Sequence, residues 1–306
     1  MSTLFSHFFD KINDFSPLEY DFTGVLDAIA VKPKRLYFRG KMPENVSNGS
    51  LTIRSKCVAI VGTRHNTRYG EEIAYKLAYE LARRGVVIVS GLAYGIDSIA
   101  HRAAIDAGGV TVAVLGTAID KIYPKAHEGL AREIIEKGGV VMSEYAAGAT
   151  VYPRTSFLER NRLISGLSDI VVVIEAAERS GSLNTAMHAL DQGKELFAVP
   201  GDITRPMSQG CNKLIRQGAI PYTGVEDILG LLFPAKKRHK KPDQMLIFGD
   251  TEEETQVLRA LAEGLRDGEE IMTKYGMPVT IFNQTITMLE IKGLVQSLGA
   301  NKWMLK

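Results

Sequence analysis

Hydrophobic and polar residues alternate in blocks through the middle of the chain. Apolar runs rich in valine and isoleucine are separated by amphipathic stretches, and they span residues 57–61, 86–90, 110–115, 140–143, 170–174 and 196–199. Runs of this composition are typical of strands that are buried on both faces. Between the first two runs, Ile73, Leu77 and Leu81 recur at helical spacing. Strands that alternate with helices predict an α/β fold with a doubly wound, mostly parallel sheet.

Small and polar residues follow the apolar runs. Ligands of doubly wound sheets bind at the carboxyl ends of the strands, and small residues let a ligand come close to the backbone. The residues at these ends are Gly62-Thr63-Arg64, Ser90-Gly91, Gly116-Thr117, Ser143-Glu144, Glu175 and Pro200-Gly201. We therefore expect the binding site along this edge of the sheet.

The stretch 157–189 carries the strongest chemical signals. Two arginines come before an apolar strand, and a turn of small residues leads from that strand into a helix. This arrangement presents unpaired backbone N–H groups and the positive end of a helix to an anion. It predicts a phosphate or phosphodiester ligand, held by Arg160, Asn161, Arg162, Ser180, Gly181 and Ser182.

Arginines and an aromatic residue interleave just before this strand. Arg154, Phe157 and Arg160 combine guanidinium groups, which bind phosphates, with a ring on which a base stacks. This combination is typical of sites for single-stranded nucleic acid. Internal ion pairs are the alternative for some of these arginines, and Arg162 and Asn161 are the first candidates for a structural role.

Asp97 and His101 are spaced one helical turn apart. Such a pair suits acid–base chemistry or metal binding, and it equally suits a helix cap with a hydrogen-bonded histidine. A third ligand at convincing spacing is missing from the sequence. We therefore predict no metal site.

The signatures of several enzyme classes are missing. The chain has no GxGxxG, GxSxG, HExxH or GxxxxGK[ST] motif. The sequence therefore does not support a dinucleotide-binding protein, a serine hydrolase, a zinc protease or a P-loop NTPase. Cys57 and Cys211 do not form a CxxC motif, which argues against a disulfide framework and fits a reducing compartment. We predict a protein that is not an enzyme and has no cofactor.

Composition narrows the setting. The 306 residues are 45% hydrophobic and 24% charged, with a net charge of +2, so any nucleic-acid site must be a local patch. The N-terminus lacks the apolar core of a signal peptide, and no apolar run approaches the roughly 20 residues of a membrane span. We expect a cytoplasmic protein with no membrane contact.

The chain divides into four predicted regions. Residues 1–50 form a short N-terminal extension whose aromatic residues pack onto the main domain, residues 51–233 form that domain, and residues 234–250 form a basic linker. Residues 251–306 predict three helices and a hairpin, which is the pattern of a small winged-helix-like domain. This last region carries six Lys or Arg and eight Asp or Glu, with Lys292 the single cation of its third helix. A domain that docks onto a partner is at least as well supported there as one that binds duplex DNA.

Six motifs in this order and spacing resemble the DprA/Smf family of DNA-processing proteins. They are VAIVGTR (58–64), SGLAYGID with AH (90–101), FxxRNRxISGLSD (157–169), EAAERSGSLNTA (175–186), FAVPGDI (197–203) and SQGCNKLIRQGA (208–219). The resemblance runs from about Leu36 to Leu232. It implies an extended Rossmann-like domain in a single-stranded DNA-binding protein. Family members protect incoming DNA in natural transformation, load RecA onto it and are usually homodimers.

The resemblance also assigns residues. It implies that the turn of Gly62, Thr63 and Arg64 contacts phosphate, that Arg154, Phe157 and Arg160 line the DNA pocket, and that Ser180, Gly181 and Ser182 offer backbone and hydroxyl contacts. Two features depart from the family pattern. Leu158 stands where a proline is usual, and residues 1–50 are too short for the complete N-terminal helical domain of many members.

An alternative is an enzyme or sensor that acts on small nucleotides. Lysine-decarboxylase-like phosphoribohydrolases share a similar fold and use a PGGxGTxxE signature. Here the corresponding turn is 178–185, and no glutamate follows until Glu195, so the acid–base group of that chemistry is missing.

Overall fold

A computed structural model describes residues 11–44, 46–48, 51–234 and 249–305, with the backbone alone at 46–48, 51–53 and 153–154. The chain divides into two compact units, Met1–Pro234 and Ala235–Lys306. Within the described ranges, no helix is both long enough and apolar enough to cross a bilayer. Most of the predicted basic linker, residues 235–248, lies outside the described residues.

The apolar runs form strands, and most strand ends lie within one residue of the predicted ones. The strands of the first unit are β1 (Asn13–Phe15), β2 (Leu36–Gly40), β3 (Val46–Asn48), β4 (Leu51–Ile53), β5 (Cys57–Val61), β6 (Val87–Ser90), β7 (Thr111–Leu115), β8 (Val140–Ser143), β9 (Ile170–Val173), β10 (Glu195–Ala198) and β11 (Ile220–Pro221).

The amphipathic stretches between the strands form helices. They are α1 (Asp21–Gly24), α2 (Arg68–Arg83), α3 (Ile96–Asp106), α4 (Glu128–Glu136), α5 (Pro153–Leu167), α6 (Gly181–Asp191), α7 (Pro206–Arg216) and α8 (Val225–Leu232), with short 3-10 turns at Pro17–Glu19, Val25–Ala28 and Lys125–His127. Pro153 and Pro206 occupy the first helical turns of α5 and α7, where a missing N–H leaves no bond unmade.

Nine of these strands form one sheet in the order β1-β2-β8-β7-β6-β5-β9-β10-β11. All neighbours from β8 to β11 are parallel, whereas β1 and β2 pair antiparallel at one edge. The chain builds outward from β5 through β6 and β7 to β8, and then returns to the other side of β5 to add β9. The order therefore reverses between β5 and β9, which is the switch point where ligands of open α/β sheets bind. The predicted doubly wound, mostly parallel fold is confirmed.

Each central strand contributes to two cores because alternate side chains face opposite sides of the sheet. In β5, Ala59 and Val61 belong to the core that α5 and α6 cover, and Val58 and Ile60 belong to the core under α2 and α3. All four side chains are buried. This burial on both faces explains why the strands are continuous apolar runs rather than alternating ones.

The N-terminal stretch packs onto the main sheet, as predicted. The rings of Phe15 and Phe38 meet edge to face at 5.2 Å, and Tyr20 lies 5.1 Å from Phe15. Phe15, Phe22 and Phe38 are buried in the core beneath α5. Through β1 and β2, this stretch extends the sheet beyond β8.

The second unit has the helices and hairpin of a winged helix. Its elements are α9 (Glu252–Ala262), α10 (Gly268–Tyr275), α11 (Val279–Ile291), β12 (Val295–Gly299) and β13 (Lys302–Leu305), with β12 and β13 antiparallel. A separate core that includes Leu258, Phe282 and Leu289 holds them together. Lys292, the cation at the end of α11, is bound by Asp250 at 2.7 Å and by Glu254 at 2.6 Å.

Candidate nucleic-acid interface

A cavity of about 460 Å³ opens at the switch point, beside the carboxyl ends of β5 and β9. Nine of the eleven predicted site residues line it, and they are Gly62, Thr63, Arg64, Phe157, Arg160, Asn161, Ser180, Gly181 and Ser182. The tertiary structure thus collects residues from three separate parts of the chain around one space. The cavity also takes in Met207 and Thr185, which sequence reasoning did not assign. For Met207, the sequence signal was its position soon after Pro200-Gly201, at the carboxyl end of a predicted strand. In the sheet this strand, β10, lies next to β9 on the side away from β5.

The turn after β5 is held in place by its neighbours. The backbone N–H of Thr63 donates to the carbonyl oxygen of Glu175 at 2.7 Å, and that of Ile96 donates to the carbonyl of Thr63 at 3.2 Å. Gly95 allows this approach, because a Cβ there would lie 2.3 Å from the Thr63 oxygen. The turn leaves Arg64 exposed, and its guanidinium forms no ion pair with the described residues.

The N-terminus of α2 already holds an anion from the protein itself. The carboxylate of Glu175 accepts bonds from the backbone N–H of Thr67 at 2.8 Å and from its hydroxyl at 2.6 Å. Gly70 leaves room for this carboxylate, since a Cβ there would lie 2.2 Å from it. The helix end that binds phosphate in many α/β proteins is therefore filled, so Arg64 is the group of this turn that remains available to a ligand.

Two guanidinium groups lie near the ring of Phe157. The Cζ atom of Arg64 is 5.8 Å from the ring centroid, and that of Arg160 is 5.9 Å from it. Both distances are within the range of a cation–π interaction. The ring packs against Gly116, where a Cβ would lie 2.6 Å from it. Phe157 is partly exposed and lines the cavity.

Arg160 is buried and is committed to the protein. Its Nη1 donates to the carbonyl oxygen of Gly91 at 2.8 Å and to that of Val114. Burial lowers the pKa of Arg160 to about 10, although the carboxylate of Asp97 opposes this shift. Even this pKa leaves the guanidinium charged at neutral pH. Arg160 therefore supplies positive charge beneath the cavity from a fixed position.

Asp97 and His101 do not bond to each other. Asp97 accepts from the backbone N–H of Gly91 at 3.1 Å, and burial raises the pKa of its carboxyl group. His101 Nδ1 bonds the hydroxyl of Thr111 at 2.7 Å, and that hydroxyl donates to Ile88, so Nδ1 carries the proton. Burial lowers the pKa of His101 to about 3. No group of three His, Cys, Asp or Glu side chains in the described ranges is placed to hold a metal ion.

The other two residues of the RNR motif have partners within the protein. The Asn161 amide donates to the carbonyl of Gly181 at 3.3 Å and to the side chain of Asn184 at 3.1 Å, which ties α5 to the start of α6. Arg162 donates to both carboxylate oxygens of Glu144, at 2.8 and 2.6 Å. It is not among the residues that line the cavity.

The N-terminus of α6 faces the cavity. Ser180 is the N-cap, and its hydroxyl accepts from the backbone N–H of Ser182 and lies 2.7 Å from the Ser182 hydroxyl. Gly181 is exposed and has open space where a Cβ would stand. In contrast to α2, this helix begins beside an open space lined by Arg64, so an anion there would meet both the helix end and a cation.

Arg154 is the second residue of α5, and its side chain lies outside what the structure describes. The backbone places it one helical turn before Phe157. Its predicted contact with DNA stays a prediction.

Comparison with known proteins identifies the family. The sequence matches the family model for DNA recombination-mediator protein A over residues 15–233 and the model for the DprA winged helix domain over residues 241–301. The chain belongs to the DNA recombination-mediator protein A family. The predicted resemblance to DprA/Smf proteins is therefore confirmed, as is the winged-helix-like C-terminal domain.

Relatives of known name support this membership in the DNA recombination-mediator protein A family. The chain is 42% identical to the DNA processing protein DprA of Bacillus subtilis over 198 residues, which cover 64% of this chain and 66% of that protein. It is 49% identical to Protein Smf of Escherichia coli over 172 residues, or 56% of this chain and 46% of that protein. The chain thus spans about half the length of this Smf relative.

Two solved structures of the DNA recombination-mediator protein A family share the fold. DNA processing protein A of Streptococcus pneumoniae superposes with a TM-score of 0.64 at 38% identity, covering 74% of this chain and 76% of that one. DNA processing protein A of Helicobacter pylori gives 0.62 at 31% identity, covering 75% and 98%. The latter structure concerns the single-stranded DNA binding mode of that protein.

Proposed function

We propose that this protein binds single-stranded DNA in the cavity at the switch point. The observation that carries the proposal is the position of Arg64, an exposed cation with no ion-pair partner among the described residues, over the ring of Phe157 and beside the open N-terminus of α6. A phosphate placed there meets a guanidinium and a helix end, while the adjoining base meets an aromatic face. A duplex does not offer a free base face to such a ring.

The site residues then divide into two groups. Arg64, Phe157 and the turn of Ser180, Gly181 and Ser182 contact the DNA, together with Arg154. Arg160 and Asn161 position this surface from below, because their side chains are bonded to the protein at 2.8 and 3.1 Å. We assign Arg162 to holding α5 through Glu144.

We further propose that the protein acts as a recombination mediator and not as an enzyme. By analogy with the family, a homodimer in the cytoplasm would protect incoming single-stranded DNA in natural transformation and load RecA onto it. The cavity offers Asp97 as its acidic group, and its carboxylate is engaged by the backbone N–H groups of Gly91 and Ala93. We therefore assign Asp97 to holding the loop after β6 rather than to acid–base catalysis.

Fluorescence anisotropy tests the binding proposal. Labelled oligo-dT and a duplex of equal length are titrated with wild type, Arg64→Ala and Arg68→Ala. Arg68 is a matched control because it begins α2, four residues after Arg64, but pairs with Glu72 at 2.9 Å. We expect wild type to bind the single strand selectively, with an affinity that falls as salt rises. Arg64→Ala should lower this affinity roughly tenfold or more, and Arg68→Ala should keep it within about twofold of wild type. Equal binding by wild type and Arg64→Ala would place the DNA elsewhere.

Competition separates the mediator from a nucleotide-binding protein. We expect oligomers of about 6 nucleotides or more to displace the labelled DNA far better than dTMP, since single-strand grooves take several nucleotides. Equal displacement by dTMP would favour the nucleotide-binding alternative. RecA loading is tested separately, as the rate at which RecA assembles on DNA precoated with single-strand-binding protein.

A further inference from the structure

Two tyrosines outside the cavity stand half exposed at the same edge of the sheet. Tyr94 lies in the loop after β6 and is 49% exposed, and Tyr123 lies in the loop after β7 and is 51% exposed. Both loops leave the carboxyl ends of adjacent parallel strands, since β6 pairs with β5 and β7 pairs with β6. Together the two rings offer open aromatic surface to a ligand at this edge.

Contacts to the protein fix both rings. Tyr123 packs on Phe157 with 5.4 Å between ring centroids and a tilt of 49°. Tyr94 meets His127 at 4.9 Å, and His127 is anchored through Nδ1 to the carbonyl oxygen of Leu92 at 2.8 Å. The ring positions are therefore set before any ligand arrives, which lowers the entropy lost on binding.

These rings continue the surface of the cavity. Phe157 lines the cavity and touches Tyr123, and Gly95, next to Tyr94, comes close to the backbone of Thr63 and Arg64. We call Tyr94, Tyr123 and Phe157 the aromatic patch. It runs from the phosphate position at Arg64 across the ends of β6 and β7.

Two lysines flank the outer ring of the patch. Lys121 and Lys125 stand two residues on either side of Tyr123, and both are exposed. Neither forms an ion pair with another residue in the described ranges. Cations that alternate with an exposed ring match the chemistry of a single-stranded nucleic acid, whose phosphates and base faces alternate in the same way.

We propose that the aromatic patch is a second binding segment, along which single-stranded DNA continues from the cavity. Successive bases stack on Tyr123 and Tyr94, and Lys121 and Lys125 contact the phosphates between them. The ligand class is a single strand of any sequence, because stacking needs only a free base face. This inference rests on the proposed function, since it extends the same strand beyond Arg64.

The test compares short and long ligands. Oligo-dT of about 2 and of about 12 nucleotides is bound to wild type, Tyr123→Leu, Tyr94→Leu and Tyr75→Leu, within the range of lengths for such sites. Tyr75 is the matched control, because it is 41% exposed but lies on the outer face of α2. We expect each patch variant to bind the longer oligomer roughly tenfold more weakly and the shorter one unchanged. Tyr75→Leu should bind both as wild type does.

Two further measurements do not depend on the leucine variants folding well. One uses a strand of about 12 nucleotides that has bases at its first two positions and abasic sites beyond them. Wild type should bind this strand roughly tenfold or more weakly than it binds oligo-dT of the same length. The double variant Lys121→Gln with Lys125→Gln should reduce the slope of log K against log salt by about 1.4, at about 0.7 for each phosphate that a lysine no longer neutralises.

The outcomes separate this inference from the proposed function. The second segment is overturned if wild type binds the abasic and normal strands with equal affinity. It is also overturned if Tyr123→Leu and Tyr94→Leu bind the longer oligomer as tightly as wild type does. Binding at Arg64 stands in both cases. Failure of wild type to bind either oligomer overturns the proposed function. Retention of full affinity by Tyr123→Phe, together with loss in Tyr123→Leu, supports stacking on the ring.

Discussion

Arg160 donates a hydrogen bond to the carbonyl oxygen of Gly91 at 2.8 Å, and thereby joins α5 to the end of β6. Gly91 makes the contact possible, because a Cβ there would lie 2.6 Å from both terminal nitrogens of the guanidinium. The same nitrogen also donates to Val114 at the end of β7. The arginine thus links two strand ends and holds Phe157 beside Arg64.

Replacement of Arg160 by methionine should destabilise the first unit. It keeps most of the side-chain length but leaves the buried carbonyl groups of Gly91 and Val114 without their partner, at about 1–3 kcal/mol for each unsatisfied group. We expect the free energy of unfolding in urea to fall by about 2–4 kcal/mol. Arg102→Met, at an exposed position on α3, is the control and should stay within about 0.5 kcal/mol of wild type. A decrease below about 1 kcal/mol for Arg160→Met would show that water replaces the guanidinium.

Gly95 should tolerate alanine less well than Gly148. Both have a positive φ, of 76° and 74°, which L side chains rarely adopt, so both variants strain the backbone. Only at Gly95 would the new Cβ also meet the carbonyl of Thr63, at 2.3 Å, whereas Gly148 has open space. We expect Gly95→Ala to lose both more stability and most of the single-strand affinity, because the turn that carries Arg64 must move. Parallel unfolding and anisotropy measurements on the two variants check this, and equal effects on both properties would contradict it.

Acidification should destabilise the protein through His101. Its pKa is about 3 in the folded state, against about 6.5 in an unfolded chain, so the unfolded state binds more protons between these values. Stability therefore falls as pH drops below about 6.5, with a limiting slope of about 1.4 kcal/mol per pH unit from this group.

His101→Asn isolates this effect. The asparagine amide can still donate to Thr111, but it does not titrate. We expect the loss of unfolding free energy between pH 7.5 and pH 5.0 to be smaller in the variant than in wild type, since other groups titrate in both proteins. An identical loss in the two proteins would mean that His101 does not control the acid response.

Lys292→Met should weaken the second unit alone. Lys292 is bound by Asp250 and by Glu254, whose side chain is 5% exposed and would lose its cationic partner. Trp303 in β13 is the only tryptophan of the chain, so its fluorescence reports on this unit. We expect a lower midpoint in the fluorescence transition of Lys292→Met, with single-strand affinity unchanged. Lys302→Met, an exposed lysine on β13, should leave the midpoint where it is in wild type.

The alternation of strands and helices could be predicted from the sequence, because strands buried on both faces require continuous apolar runs. Val171, Val172 and Val173 are all buried, and no polar residue interrupts them. The turn of Ser180, Gly181 and Ser182 could also be predicted to start a helix, since a helix N-terminus depends on the residues next to it in the chain. These local rules located the fold class, the edge of the sheet where the cavity opens and nine of the residues that line it.

The roles of the arginines were decided by tertiary structure alone. Arg64 and Arg160 look alike in sequence, but Arg160 meets Gly91, 69 positions away, and becomes buried, while Arg64 stays exposed. The filling of the α2 N-terminus by Glu175, 108 positions from Thr67, and the contact of Tyr123 with Phe157 are likewise set by the order of the strands. The sequence determined which segments become strands and helices, because that depends on neighbours along the chain. The fold decided which charged side chains have ion-pair partners among the described residues, because that depends on groups brought together from distant segments.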